Sequence, residues 1–311
     1  MERTFDFLVI GAQKCGTTSL WRGMDSHPEI LTPSDKERRF FEVDEHYQRG
    51  VDAYIDSAFG DPRADQRLGI VSSQLMPPRV ESRLKVIDRI AETCPEVKLV
   101  ALLRDPIDRA ASFFRFAERR SGRGGTDFGA FFERALRKHG GLESIPFVAA
   151  GCYGAILESY AARFGRERLL VLFTEELEFR PEFLYSELFE FLGVDPGHTV
   201  DGSMRLNVGG MHERISEAAM LELRTELQER VWPHVGDRNV RIGFNWWLRQ
   251  VWNIEPDAEP VTIPQAVREQ LAELYLPDAE LLEQRLSVRA PWVKRISEER
   301  SGGSRPIASP G

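Results

Sequence analysis

Two short stretches of the sequence combine basic and hydroxyl side chains in a spacing that suits the binding of anions. The first is Gly-Ala-Gln-Lys-Cys-Gly-Thr-Thr at residues 11–18, named here the first loop. It holds Lys14, two glycines and the hydroxyls of Thr17 and Thr18 between an apolar run and a helical pattern. Exposed N–H groups at a helix start, with a lysine beside them, attract phosphate-type groups. A plain strand-to-helix turn capped by Thr17 is the alternative; the lysine and the hydroxyl pair favour binding.

The first loop differs from the P-loop of nucleotide-hydrolysing enzymes, GxxxxGK[ST], in the place of its lysine. Lys14 is the fourth residue of the loop, and Thr17 stands where a P-loop has its lysine. No adjacent Lys-Ser or Lys-Thr pair is left to hold Mg²⁺ with the phosphates. The pattern therefore predicts an anion site that works without this metal arrangement.

The second stretch follows the apolar run 97–103 and is named here the second basic site, formed by Arg104 and Ser112. Asp105 suits the N-cap of a helix and Pro106 its first position, which places Arg104 at the carboxyl end of a strand. Ser112 lies two helical turns after Asp105, so it can face the same ligand as Arg104. In the alternative, Arg104 pairs with a carboxylate and Ser112 only packs. Together with the first loop, the site predicts one ligand carrying two separated phosphate-type groups.

The elements that must position these residues alternate between helical patterns and buried apolar runs. Strands are predicted at 5–10, 97–103 and 169–173, with 69–71 as a possible further one, and helices at 17–24, 80–93 and 153–164. Such alternation implies crossover connections and a mainly parallel sheet. After 173 only helical patterns are visible, at 183–192, 215–231 and 264–286. We expect an α/β fold with a helical C-terminal cover, one domain over 1–296, and a disordered tail at 297–311.

The composition narrows the partners and the compartment. With 41 basic and 49 acidic residues in 311, the net charge is −8, which disfavours non-specific binding of nucleic acid or anionic membrane. Cys15, Cys94 and Cys152 are odd in number and in no metal-binding spacing, so free thiols and a reducing, cytoplasmic location are expected. No apolar stretch approaches the roughly 20 residues that a membrane helix needs, and no secretion leader is visible. The oligomeric state stays open.

The first loop and the second basic site together resemble the sulfotransferases that use 3′-phosphoadenosine 5′-phosphosulfate (PAPS). The matching stretches are residues 11–20 and 103–112, in the order and spacing of that family. The element Lys36-Glu37-Arg-Arg-Phe40-Phe41 is similar to one in the heparan sulfate and bacterial carbohydrate-type branch. The resemblance runs from residue 5 to about 195.

This resemblance implies a P-loop-like three-layer fold, no metal, and transfer of a sulfuryl group from PAPS to a hydroxyl or amine of a small molecule or glycan. Glu37 would be the general base, and Lys14 would stabilise the leaving phosphate. The cofactor-binding residues implied are Lys14, Cys15, Gly16, Thr17, Thr18 and Ser19 in the first loop and its helix, Arg104 and Ser112 in the second basic site, and Asn207, Gly209, Gly210 and Arg214 in a later loop.

Several alternatives stay open at the candidate base. Ser34 and Glu37 also match a capping box, in which the glutamate only caps a helix. His27, His46 and His139 are rival bases, and Lys36 is interpreted as a solvated charge. The family's charged residue and Thr-Pro are replaced at 70–75 by Ile-Val-Ser-Ser-Gln-Leu.

Two other functions compete with sulfuryl transfer. A Mg²⁺-dependent P-loop nucleotide kinase is disfavoured by the missing Lys-Ser/Thr pair and by the run 97–103, which ends in arginine rather than aspartate. A non-catalytic nucleotide-binding protein would keep the two anion sites without using Glu37 as a base.

Overall fold

The computed structural model describes residues 4–59, 61–121, 126–200, 226, 230 and 261–300, without the side chains of 119–121, 299 and 300. Contacts group residues 1–202 with 261–311 in one compact unit and 203–260 in another. The description below concerns the first unit. The single domain over 1–296 stays a prediction.

Five parallel strands form a sheet in the order β2-β3-β1-β4-β5 within the described part of the chain. The strands are β1 (Phe7–Gly11), β2 (Ile30–Leu31), β3 (Arg67–Val71), β4 (Lys98–Leu103) and β5 (Leu169–Phe173). The strands expected from the apolar runs, including the one at 69–71, are thereby confirmed. β2 escapes prediction because two residues are too few to show a pattern.

Helices connect the strands and continue beyond the last of them. The helices are α1 (Thr17–Asp25), α2 (Asp44–Gln48), α3 (Val51–Ala58), α4 (Val80–Thr93), α5 (Pro106–Ser121), α6 (Phe128–His139), α7 (Pro146–Ala149), α8 (Tyr153–Phe164), α9 (Thr174–Phe179), α10 (Pro181–Leu192), α11 (Gln265–Leu286) and α12 (Val293–Arg300). None of the helices that the structure describes is long and apolar enough to cross a membrane.

The sheet is buried on both faces because alternate residues of each strand enter two separate cores. Leu8 and Ile10 of β1 pack into the core formed with α4, α8 and α11. Phe7 and Val9 pack into the second core, with α1 and α10. All four side chains are fully buried, as the continuous apolar run of a parallel strand requires. The predicted three-layer α/β class is confirmed.

The C-terminal cover is present in α11, which packs closely on α8. A Cβ at Gly154 would lie 2.2 Å from the carbonyl oxygen of Asp278, so only glycine permits this approach. The Asp278 carboxylate accepts the N–H groups of Gly154 and Ala155 at 2.7 and 2.9 Å, which caps the start of α8. The predicted helix at 264–286 is confirmed, whereas that at 215–231 lies outside the described residues except at 226 and 230.

The last described helix corrects one predicted boundary. α12 continues to Arg300, so residues 297–300 of the expected disordered tail are helical. Ile296 is buried at 1% exposure and fixes the helix to the core. Residues 301–311 lie outside the described part of the chain.

The strand order sets the position of the loops that carry chemistry. β1 lies between β3 and β4, and the carboxyl ends of these parallel strands meet at one edge of the sheet. Ala12 N–H donates to Leu102 O at 2.8 Å, and Ser72 N–H donates to Val9 O at 3.0 Å. Because the chain leaves β1 toward β3 and later returns to β4 on the other side, this edge is the switch point where α/β folds bind ligands.

Candidate active site

The first loop ends in a helix start whose first N–H groups lack backbone partners among the described residues. Gly16 is the N-cap of α1 and adopts φ +87°, a left-handed conformation that favours glycine. Ser19 and Leu20 N–H donate to the Gly16 carbonyl. Among the described residues, the N–H groups of Gly16, Thr17 and Thr18 have no backbone acceptor. The orphan donors of a helix start therefore remain available for an anion.

Lys14 occupies the bend of the first loop. Its backbone adopts φ +70°, which is costly for a residue with a side chain and is typical of functional sites. The ammonium Nζ lies 4.7 Å from the centre of the Phe116 ring on α5. This cation–π contact keeps the lysine on the β4 side of the loop.

Cys15 has internal partners instead of facing a ligand. Its side chain is fully buried, and its Sγ lies 3.5 Å from the Tyr153 hydroxyl. Its N–H donates to Ala12 O, and its carbonyl accepts the Thr174 hydroxyl at 2.7 Å. Burial raises the pKa of the Cys15 thiol, although Tyr153 and Arg109 act against this. The Cys15 side chain and carbonyl thus have partners within the protein, and its part in donor binding stays a prediction.

The second basic site has the predicted local geometry. The Asp105 carboxylate accepts the N–H groups of Ile107 at 2.9 Å and Asp108 at 3.3 Å, which confirms it as the N-cap of α5. Arg104 lies immediately after β4 and is half-buried, as is Ser112 on α5. No carboxylate of the described residues lies within 4.0 Å of the Arg104 guanidinium. The ion-pair alternative for this arginine is thus not supported.

Two buried hydroxyls join the first loop to the second basic site. Tyr153 donates to the Arg104 carbonyl at 2.9 Å while contacting Cys15 Sγ. The Thr174 hydroxyl lies 2.7 Å from Cys15 O and 2.9 Å from Leu103 O. Each hydroxyl therefore bridges the loop after β1 and the end of β4, which fixes the spacing of the two anion sites.

Glu37 lies on the opposite side of β1, at the end of β3. No helix begins between residues 34 and 43, so the capping-box interpretation is wrong. Glu37 adopts φ +70°, and its carboxylate accepts the Ser73 N–H at 3.0 Å and the Ser73 hydroxyl at 2.9 Å. Lys36 Nζ donates to the same group at 2.7 Å, and Ser72 Oγ lies 3.2 Å from it. These contacts orient a carboxylate beside the first loop.

The charge of Glu37 is stabilised by its neighbours. Burial alone would raise the pKa of Glu37, but the Lys36 ammonium and the hydrogen bonds from Ser73 outweigh burial and lower it. The Lys36 side chain is only 4% exposed, so its interpretation as a solvated charge is wrong. Glu37 is thus held in the ionised form that a general base requires.

A second carboxyl group shares Ser72 with Glu37. Ser72 Oγ lies 2.9 Å from Glu42 Oε1, and Phe40 N–H donates to Glu42 Oε2 at 3.2 Å. Burial raises the pKa of Glu42, with the bonds from Ser72 and Phe40 acting against it. Because Ser72 has one hydroxyl proton, it can donate to only one of the two carboxyl groups at a time. A protonated Glu42 could donate a hydrogen bond to Ser72 Oγ, and the Ser72 hydroxyl could then donate to Glu37.

The three histidines considered as alternative bases lie in structural positions of their own. His27 is 1% exposed, accepts the Glu29 N–H at Nδ1 and contacts Asp195 O at 3.0 Å through Nε2, so both ring nitrogens are used structurally. His46 Nδ1 lies 2.8 Å from the Arg39 carbonyl, and His139 ends α6. The predicted later-loop residues Asn207, Gly209, Gly210 and Arg214 lie outside the described residues.

Sequence reasoning missed several residues that contact the site but are far from it in the sequence. Ser72, Ser73 and Glu42 surround Glu37, whereas Tyr153 and Thr174 join the two anion sites. The signal that could have found the serines is a hydroxyl pair directly after a strand neighbouring β1. No group of three His, Cys, Asp or Glu side chains in the described residues is arranged to hold a metal ion.

The sequence matches a known protein family. The family model described as "Sulfotransferase domain" matches residues 5–209. The chain belongs to the sulfotransferase family. The resemblance found from the two motifs and the Lys36-Glu37 element is thereby confirmed.

The sulfotransferase relatives are longer proteins. The human "Bifunctional heparan sulfate N-deacetylase/N-sulfotransferase 3" is 28% identical over 221 residues, covering 63% of this chain and 23% of that protein. The "Membrane-associated sulfotransferase kil1" of Dictyostelium discoideum is 30% identical over 115 residues, covering 36% of this chain and 23% of that protein. The chain thus spans about a quarter of the length of these curated relatives.

A solved sulfotransferase shows the same fold. The crystal structure of a sulfotransferase from Alicyclobacillus acidocaldarius has a TM-score of 0.63 and 24% identity, covering 94% of this chain and 99% of that one. The likeness supports the P-loop-like α/β architecture around the described sheet.

Proposed function

We propose that this sulfotransferase moves a sulfuryl group from PAPS to a hydroxyl or amine of a small molecule or glycan. The observation that carries the proposal is the order of groups along one sheet edge. The oriented Glu37 carboxylate lies at the end of β3, the first loop follows β1, and Arg104 follows β4. Along this edge a candidate base is followed by an anion site and then by a second cation. The two cationic sites suit a donor with two anionic groups, and the base lies next to the first of them.

The described residues fit such a donor. The amides of Gly16, Thr17 and Thr18 and the Lys14 ammonium would hold the 5′-phosphosulfate, and Arg104 with Ser112 would hold the 3′-phosphate. When bound, PAPS supplies the activated sulfuryl group. The N–H groups and Lys14 would stabilise the charge that grows on the phosphate oxygen as its bond to sulfur breaks. Ser19, on α1, is a further proposed contact of the donor.

Glu37 would take the proton from the acceptor. When the acceptor oxygen or nitrogen attacks sulfur, its proton would move to the Glu37 carboxylate, and the phosphate oxygen would keep the electron pair of the broken sulfur–oxygen bond. Ser73 and Lys36 keep the carboxylate ionised and oriented for this transfer. General-base catalysis of this kind contributes roughly 10²- to 10⁴-fold.

The proposal includes a glycan as a class of acceptor. Its support is that several relatives are named heparan sulfate N-deacetylase/N-sulfotransferases, and heparan sulfate is a sugar polymer. A transfer screen over amino sugars, sugar hydroxyls, phenols and simple alcohols would test it. Turnover of phenols alone would contradict it.

The donor site is tested by binding of 3′-phosphoadenosine 5′-phosphate (PAP), without added metal. Calorimetry should detect PAP binding to the wild type and a loss of affinity of about 100-fold in Lys14→Ala and Arg104→Ala, as for removal of one partner of a hydrogen-bonded charge pair. The exposed Lys138 and Arg163 provide matched control substitutions to alanine. Unchanged PAP binding in both site variants would contradict the donor site, and ATP turnover that requires Mg²⁺ would favour the kinase alternative.

The base is tested with Glu37→Gln. We expect retained PAP binding and a loss of transfer of at least about 100-fold. Glu45→Gln, at an exposed position of the following helix, is the control. Wild-type transfer by Glu37→Gln would show that Glu37 is not the base, and absence of transfer in the wild type would favour a nucleotide-binding protein.

We also infer a cytoplasmic location. Its support is that Cys15, Cys94 and Cys152 are all free thiols, which suits a reducing compartment. Cell fractionation tests this inference.

A further inference from the structure

The last described helix places an arginine against the first turn of α5. Arg295 lies on α12, beyond the residues 5–209 that the family model matches. Its Nε donates to Asp105 Oδ2 at 3.0 Å, and its Nη2 lies 3.1 Å from Asp108 Oδ2. Arg295 therefore bridges both carboxylates of the first turn of α5, directly after Arg104.

The carboxylates of Asp105 and Asp108 would repel an anion bound by Arg104. The Asp105 side chain is only 3% exposed and that of Asp108 is 41% exposed. Glu175 Oε1 lies 3.4 Å from the Asp105 N–H, which adds a third carboxylate nearby. Charges of equal sign repel most strongly where solvent is scarce. A phosphate bound by Arg104, the residue before Asp105, would be repelled by these carboxylates unless a further cation neutralised them.

The contacts of α12 also connect it to the backbone of Arg104. Trp292 packs edge-on against Tyr153 with ring centres 5.9 Å apart, and against Phe173 at 5.3 Å. Tyr153 in turn donates to the Arg104 carbonyl. The start of α12 is thus fixed on the same structure that positions Arg104, which holds the Arg295 guanidinium over the two aspartates.

We propose that Arg295 is a positioning residue that neutralises Asp105 and Asp108 and thereby sets the affinity for the 3′-phosphate of the donor. The proposal rests on the proposed function, because it assumes that Arg104 binds that phosphate. It assigns to a C-terminal residue outside the matched family region a specific part in recognising the nucleotide.

The test compares two ligands that differ in the 3′-phosphate. Binding of PAP and of adenosine 5′-phosphate is measured by calorimetry for the wild type and for Arg295→Gln. We expect PAP affinity to fall roughly tenfold, as for loss of a complementary charge near a ligand, with little change for adenosine 5′-phosphate. Equal changes for both ligands, or none for PAP, would overturn the proposal. No PAP binding by the wild type would instead overturn the proposed function on which it rests.

Further variants separate charge from folding. Asp108→Asn in the Arg295→Gln background removes the uncompensated carboxylate and should recover much of the PAP affinity, whereas Arg295→Lys should retain most of it. The matched control is Arg285→Gln, because Arg285 forms a comparable ion pair with Glu158 at 3.1 Å elsewhere on the surface. If Asp108→Asn brings no recovery in a variant whose unfolding temperature matches that of Arg295→Gln, the charge argument is wrong.

Discussion

Ser73 binds both oxygens of the Glu37 carboxylate, through its N–H to Oε2 at 3.0 Å and its hydroxyl to Oε1 at 2.9 Å. This two-point contact fixes the plane of the carboxylate, which neither bond alone would do. Ser73 is the second residue after the end of β3, and the neighbouring strand β1 leads into the first loop. The rigid sheet therefore sets the distance between the base and the anion site.

Ser73→Ala removes one of the two contacts while the backbone N–H remains. We expect kcat to fall by up to about 100-fold, because small misplacement of a catalytic group is costly, with PAP affinity unchanged. Steady-state kinetics and calorimetry measure the two quantities. Ser57→Ala, which removes a hydroxyl bonded to Arg38, is the control. A fall in PAP affinity equal to that in kcat would argue against a role in orienting Glu37.

Lys36→Met tests the charge environment of the base. Lys36 lowers the pKa of Glu37 against the effect of burial, so its loss leaves burial less opposed and the pKa of Glu37 rises. Since the base must be ionised, activity is lost as pH falls through this pKa. The acid limb of the kcat/KM profile should lie below pH 4.5 in the wild type, the ordinary value for glutamate, and move to higher pH in the variant. An unmoved limb would mean that another group controls it.

We predict that Glu42 supports Ser72 through a hydrogen bond, from the 2.9 Å contact between Glu42 Oε1 and Ser72 Oγ. Burial raises the pKa of Glu42, and a neutral group can donate to Ser72 Oγ. Glu42→Gln keeps that donor and an acceptor for Phe40 N–H, so kcat should stay close to wild type. Glu42→Ala removes both and should lower kcat by about tenfold through misplacement of Ser72. Kinetics of the two variants decide the matter: an equal loss in both would show that the ionised carboxylate is needed.

The sequence predicted the parts of the site that local chain order determines. The apolar runs located the main strands, and the first loop and Asp105-Pro106 carry their own turn and cap signals, so Lys14 and Arg104 could be placed at strand ends. The environment of Glu37 could not be predicted, because Ser72 and Ser73, which contact it, are 35 and 36 residues away in the sequence. Lys36 was misjudged for the same reason: its burial depends on packing that no local pattern records.

Tyr153 offers a test of the connection between the two anion sites. Its hydroxyl donates to Arg104 O and contacts Cys15 Sγ, and it is 2% exposed. Tyr153→Phe leaves the partly buried Arg104 carbonyl without this partner, which should lower the free energy of unfolding by about 1–3 kcal/mol. Because Arg104 then loses its fixed position, PAP affinity should fall as well. Urea unfolding and calorimetry measure the two effects.

Tyr275→Phe is the matched control for this prediction. Tyr275 is equally buried, at 1% exposure, and donates to the Val148 carbonyl at 3.0 Å rather than to the Arg104 carbonyl. Its loss should lower stability by a similar amount and leave PAP affinity unchanged. If both tyrosine variants weaken PAP binding equally, the effect follows from general destabilisation. A binding loss confined to Tyr153→Phe would show that the hydroxyl positions the two anion sites relative to each other.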